Sequence, residues 1–319
     1  MMKHDLSAVP AARRRVRRIG LAIAAMLAAL QLSPALAAAQ QVAAPVETTA
    51  PRAAAHPALW KIADADTTIY LFGTIHLLPK GIEWYSGPLA QAFDSSGELV
   101  TEIPEYGDTD TAAAVMKYAM LPPGQSLRVT MSKKEKVRFE AALRQLGLPP
   151  AAFDRFRPWY AAVLMATLPL QKQGFDMQNG VEAQLSDLAK KAGRPRTGLE
   201  TLDMQLGLFS AFSPKVQKGY LFDTIAVLPT LQQDVQKMVD SWARGDAAAL
   251  ADLLNAEQDD PAMMKALLFD RNKTWAGWIR TRLDKPGTVF IAVGAGHLGG
   301  KGSVQDVLSK ADIASTRVQ

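Results

Sequence analysis

Histidine occurs four times in the 319-residue chain, and two of the four stand in the same short frame. His76 closes Tyr70-Leu-Phe-Gly-Thr-Ile-His76, and His297 closes Ile291-Ala-Val-Gly-Ala-Gly-His297. Each frame is an apolar run that reads as a buried strand, then a glycine, then an imidazole three residues later. Ligands of α/β proteins bind at strand exits, because rigid strands hold loops that are otherwise free. Two such exits on adjacent strands would bring the imidazoles to one place, although 221 positions separate them. Glu102, at the exit of the short strand Glu98–Glu102, is the best third member. Two imidazoles and a carboxylate with open positions can hold a divalent cation that activates water.

Other residues carry two readings each. Glu200, after Thr197-Gly198-Leu199, is either a site carboxylate or a first-turn residue favoured by the helix dipole, and Glu182 after Gly180-Val181 is the same. Arg271-Asn272 is either a surface pair or a buried arginine aimed at a carboxylate or a substrate oxyanion. Trp275 and Trp278, one turn on, read as core. A Gly-x-Ser-x-Gly elbow, a His-Glu-x-x-His helix and a phosphate-binding glycine loop are all missing, which removes serine hydrolases, zincins and nucleotide enzymes.

The elements that must position these residues follow from the pattern. Residues 1–39 run basic, apolar, then small, the order of a secretory signal peptide, so a periplasmic or secreted protein is expected, with no membrane span after cleavage. Residues 40–57 are an Ala/Pro-rich tether, and 58–319 form a single domain. Thr67–Phe72, Glu98–Glu102 and Thr288–Val293 read as strands, with Arg196–Leu199 a brief extended piece. Between them lies a helical block: a helix capped by Ser132 and Glu135 and stopped at Gly147, then 158–171, 181–192, one begun by Ser213-Pro214, 246–255 and 261–283. Strand motifs at both ends of a large helical block predict an α/β (α+β) fold with a mixed central sheet and its two outer segments adjacent in the middle. No cysteine is present, so neither disulfides nor a lipoprotein anchor can form. Of 36 basic and 31 acidic residues, 1–39 hold six and one, leaving 30 of each. That balance argues against nucleic acid as a partner; oligomeric state is not encoded in any pattern we find.

The sequence resembles the TraB/GumN family, which includes the Tiki metalloproteases and is related to erythromycin-esterase and haem-binding ChaN-like proteins. The resemblance rests on Leu59-Trp60-Lys61-Ile62, the two Gly-x-x-His frames, Leu99-Val-Thr-Glu102, Gly180-Val-Glu182, Gly198-Leu-Glu-Thr201 with Gln205, and Arg271-Asn272, in that family's order. It implies an α/β fold and, for the Tiki branch, peptide-bond hydrolysis dependent on manganese or cobalt rather than zinc. Carried over, His76, His297 and Glu102 are metal ligands, and Glu102, Arg271 and Glu200 are the catalytic and supporting residues. The expected protein is thus a metal-dependent hydrolase acting on a peptide or small-molecule substrate. The alternative is a non-catalytic binding or accessory protein for a peptide, a haem-like group or a glycan, including a role beside a polysaccharide gene cluster.

Overall fold

A computed structural model describes residues 54–104, 108–255 and 260–319. The expected signal peptide (1–39) and most of the tether (40–53) lie outside the described residues. The strands are β1 (Leu59–Ala63), β2 (Thr67–Thr74), β3 (Leu78–Pro79), β4 (Glu98–Thr101), β5 (Phe175–Asp176), β6 (Arg196–Gly198), β7 (Gly287–Gly294) and β8 (Thr316–Arg317). The helices are α1 (Gly87–Asp94), α2 (Asp108–Ala119), α3 (Lys133–Gln145), α4 (Pro158–Gln171), α5 (Val181–Lys191), α6 (Leu202–Ala211), α7 (Pro214–Val227), α8 (Leu231–Ala243), α9 (Ala247–Asn255), α10 (Pro261–Met264), α11 (Asp270–Leu283) and α12 (Val304–Ser309).

Six strands form one mixed sheet in the order β6-β4-β7-β2-β1-β8, and β3 pairs β5 in a separate ribbon. β6, β4, β7 and β2 are mutually parallel, while β1 lies antiparallel to β2 and to β8. The two Gly-x-x-His strands are therefore neighbours at the centre of the sheet, as the sequence pattern predicts. Their apolar residues alternate between faces, as a strand buried on both sides requires. Phe72, Phe290, Ala292 and Leu99 point to a core containing Trp84 and Trp242. Ile69, Leu71, Val289, Ile291 and Val293 point the other way, onto Trp275, Ile279 and Leu308. The helical block has its own core around Phe139, Trp159, Leu206 and Leu221. α4 joins the two: its first half packs into that core and Ala166 and Leu170 pack beneath the sheet.

Local signals account for the element ends. Ser132 and Glu135 complete a reciprocal capping box on α3, and Ser213 caps α7 by accepting from the amide of Val216. The short elements β1, β3, β5 and β8 carried no readable periodicity, whereas α1, absent from the expected elements, has Leu89, Ala92 and Phe93 at helical spacing. A two-residue strand exists only because a partner meets it. The helix expected over 261–283 is interrupted by a π turn at Lys265–Phe269. Buried positions Met263, Leu267, Arg271, Trp275 and Ile279 recur every four residues. On an ideal helix such a row drifts by about 40° per step, and the wide turn offsets that drift between Met263 and Arg271.

Candidate active site

The four parallel strands each end in one residue of the predicted site: β6 leads to Glu200, β4 to Glu102, β7 to His297 and β2 to His76. Register does the positioning. Thr74 pairs Gly294 and Thr101 pairs Ala292, so Glu102 emerges beside the end of β7. Its Oε1 accepts from the Gly294 amide at 2.8 Å, and the Glu200 amide donates to the Glu102 carbonyl at 2.8 Å. Gly294 makes room for that approach, because a Cβ there would stand 3.0 Å from Glu102 Oε1 and the carboxylate would have to shift. The two frames are not geometric copies: they sit one residue out of register, and only the second continues into a 3-10 turn, Ala295–Leu298.

Arg271 is the hub. Its Nε donates to Glu200 Oε1 at 2.8 Å, and Nη2 donates to Glu102 Oε2 at 2.6 Å and Glu200 Oε2 at 3.0 Å. Nη1 donates to the Leu267 carbonyl at 3.2 Å and faces His297 Nε2 at 3.1 Å. A guanidinium has five N–H donors, and here all five are committed. Arg271 therefore orients carboxylates, one of its two predicted roles. Steadying an oxyanion, the other, would require breaking one of these bonds. Gln205 Nε2 bridges the same two carboxylates, at 2.9 Å to Glu102 and 3.1 Å to Glu200, and Trp275 Nε1 donates to Glu200 Oε1 at 2.9 Å. Trp275 is core, as expected, yet its edge also serves the site.

Electrostatics separate the roles. Burial raises the Glu102 carboxyl, but Arg271 beside it, helped by the histidines and the Gly294 amide, holds it down at about 2. A carboxylate that acidic is a poor general base at neutral pH. His297 is pushed down to about 3 by burial and by Arg271. Because arginine can only donate, His297 Nε2 accepts, and the proton sits on Nδ1, which donates to Asn272 Oδ1 at 2.5 Å. Asn272 in turn donates to the Gly302 carbonyl at 2.7 Å, which settles its own orientation. His297 is thus neutral with both nitrogens engaged.

His76 differs. Its Nδ1 lies 2.9 Å from Glu182 Oε1, which also accepts from the Thr74 hydroxyl, while Nε2 is buried with no partner. Burial pulls its pKa down, but Glu182 and then Glu102 outweigh that and the net shift is upward. Glu182 Oε2 is likewise buried and unpartnered. Glu182, Asn272, Gln205 and Thr74 lie outside the expected catalytic and metal set. Glu182 and Gln205 were visible as neighbours of glycine motifs and Asn272 as the partner of Arg271 in a motif, whereas the role of Thr74 shows only in three dimensions. Among the described residues, no three His, Asp or Glu side chains stand grouped as a ready metal shell, so His76, His297 and Glu102 are brought near one another without forming one.

Gly180 lets α5 start against the His76 turn. A Cβ there would fall 2.1 Å from the His76 carbonyl oxygen and 2.8 Å from its carbon. Backbone cannot yield as a side-chain tip can, so Gly180→Ala should displace Glu182 from His76. We expect a loss of about 1–3 kcal/mol in urea unfolding, from overpacking. Any His76-dependent activity should fall about 100-fold.

A model of the TraB/PrgY/gumN family matches residues 58–317. The chain belongs to this family. The uncharacterized protein YbaP of Escherichia coli (strain K12) is 23% identical over 239 residues, covering 75% of this chain and 87% of YbaP. Metalloprotease TIKI1 of Danio rerio is 23% identical over 322 residues, covering 82% of this chain and 63% of TIKI1. The metalloprotease TIKI homolog of Nematostella vectensis is 22% identical over 297 residues, with 76% and 63% covered. No solved structure matches the chain. Among the described residues no helix is long and apolar enough to cross a membrane.

Proposed function

We propose that this TraB/PrgY/gumN protein is a metal-dependent hydrolase of peptide bonds, exported to the periplasm or secreted. One observation carries the reading: His76, oriented by Glu182, keeps Nε2 buried and unbonded at the exit of the central strand. A carboxylate-oriented imidazole with a bare nitrogen is the usual form of a metal-binding histidine. The charge balance agrees. Glu102 and Glu200 face the single guanidinium of Arg271 while Glu182 faces His76, and a divalent cation would offset the surplus of carboxylates.

The residues fit such an ion. His76 through Nε2 would hold it, with Glu182 orienting the ring from Nδ1, and Glu102 and His297 would join only by releasing present partners. With nitrogen and carboxylate donors and no thiolate, Mn²⁺ or Co²⁺ suits the set. A bound ion supplies Lewis acidity and a more acidic water. The chain's own residues do the rest: Glu182 and Thr74 aim the His76 ring, Arg271 and Gln205 keep Glu102 and Glu200 in place, and Asn272 holds His297 in one tautomer. Relatives named metalloproteases support the peptide bond as target.

The test is a peptide-library digest by chelated protein with Mn²⁺, Co²⁺ or Zn²⁺ restored, beside calorimetric metal titration. His76→Gln should lower cleavage by at least about 100-fold while the protein stays folded. Cleavage indifferent to chelation, or to His76→Gln, would sink the proposal. The rival is a binding protein without turnover for a peptide, haem-like group or glycan. It is favoured by the closure of the site: His76, Glu102, Glu200, Arg271 and His297 are each under one-tenth exposed. Tight metal uptake with no cleavage of any peptide would select it.

A further inference from the structure

Along the chain that runs on from His76 lies a groove that the site chemistry above does not use. Two adjoining hollows of about 290 and 400 Å³ share Ile82 and Gln184 as lining. One wall is the chain running on from His76, including Lys80, Ile82 and Tyr85, and the other carries Gln178, Asn179 and Gln184. We infer that this groove seats an extended polypeptide, placing a segment of it alongside His76. The inference rests on the peptide-bond reading and names the form of the substrate.

Three observations carry it. First, the backbone that holds His76 also builds the walls. Leu78 pairs Asp176 in the β3–β5 ribbon, the Val181 amide donates to the Ile75 carbonyl at 3.0 Å, and Asn179 Nδ2 donates to the Leu78 carbonyl at 3.4 Å. Gln184 Nε2 then donates to the Asn179 carbonyl at 2.6 Å, which steadies the second wall. Groove and imidazole therefore share one rigid support.

Second, the lining suits amides rather than sugars. It offers three carboxamides, each able to donate and accept, with one cation and one anion, Lys80 and Glu83. Sugar recognition would call for an open aromatic face. Trp84 is 1% exposed, stacked on Phe72 and edge-on to Trp242, so the larger ring is closed to a sugar. Tyr85 is half-buried, with the edges of Trp84 and Phe93 packed about it.

Third, the stretch Ile82–Tyr85 is in neither helix nor strand, and it already accepts a passing chain: the Ala55 amide donates to the Glu83 carbonyl at 2.9 Å. Edge-on pairing with exposed backbone is how extended peptides are commonly taken up, with side-chain pockets adding selectivity.

The experiment uses fluorescein-labelled β-casein, an unfolded polypeptide, and anisotropy with the His76→Gln protein so that turnover does not intervene. Gln178 is exposed, so Gln178→Trp fills the groove without touching the core; Gln178→Arg is the second variant. Binding should weaken by about tenfold or more in both, with unchanged circular dichroism. Casein binding that ignores both variants, or that maltohexaose displaces, overturns the groove. If wild-type protein cleaves casein and Gln178→Trp leaves KM unchanged, the groove fails while the hydrolase stands. If casein binds in a Gln178-dependent way and is never cleaved, the groove stands and the hydrolase fails.

Discussion

Arg271→Met should lower the stability of the metal-free protein by about 3–5 kcal/mol, the usual result of leaving buried charge without its counterion. Glu102 and Glu200 are both buried, and the same guanidinium meets each of them, twice in the case of Glu200. Methionine has similar length and no donor, so three carboxylate bonds, the Leu267 carbonyl bond and the His297 bond vanish together. Packing on Trp275, whose ring lies 4.7 Å from the guanidinium carbon, is largely kept. The deficit is therefore electrostatic, and neutralising the partners should reverse much of it. Arg271→Met combined with Glu102→Gln and Glu200→Gln should regain stability relative to Arg271→Met alone, because the buried charges are then gone. Urea unfolding at neutral pH reads both. A single variant within about 1 kcal/mol of the natural protein, inside the range of ordinary surface changes, would mean that Arg271 is not the hub.

The second large effect is acid lability with an identifiable origin. His297 sits near 3 in the fold against 6.5 when free, so below pH 6.5 the unfolded chain takes up a proton that the folded one refuses. Stability must then fall steadily as pH drops from 6.5 toward 3, by about 4–5 kcal/mol across the window. Glu102 acts in the same direction lower down. Its contribution is whole above its free value of 4.5 and is lost as pH falls toward about 2. His76 has the opposite sign: its raised pKa adds stability below 6.5 and loses it as pH rises through the folded value. Urea midpoints of chelated protein between pH 8 and 4 should fall on the acid side. His297→Gln should flatten the slope between pH 6.5 and about 5.5, above most of the titration of Glu102. An unchanged slope in that variant would show that His297 is not shielded from protons.

Much of this was legible because it depends on local order. The strands β2, β4 and β7, the capping box on α3 and the pairing of two glycine–histidine exits are patterns within ten residues or fewer. Glu102 and Glu200 were legible for the same reason, as carboxylates at strand ends. Their roles were not legible. Whether Arg271 meets an oxyanion or two carboxylates depends on how its five donors are shared, and the partners come from β4, β6, β7 and the π turn. The buried face did leave a trace, in the four-residue spacing of Met263, Leu267, Arg271, Trp275 and Ile279. Read for its period, that row would have placed Arg271 on the buried face.

The two histidines make the division plain. By sequence alone their frames are equivalent, and type and spacing determined that both imidazoles leave central strands toward one end of the sheet. Tertiary structure decided that they differ. A one-residue offset in the β2–β7 register and a 3-10 turn on one side only deliver His297 to Arg271 and Asn272, which engage both its nitrogens. His76 meets Glu182 alone and keeps a nitrogen free. A ring's proton, charge and vacancy are set by what approaches it from distant segments, and that information exists only once the chain has folded.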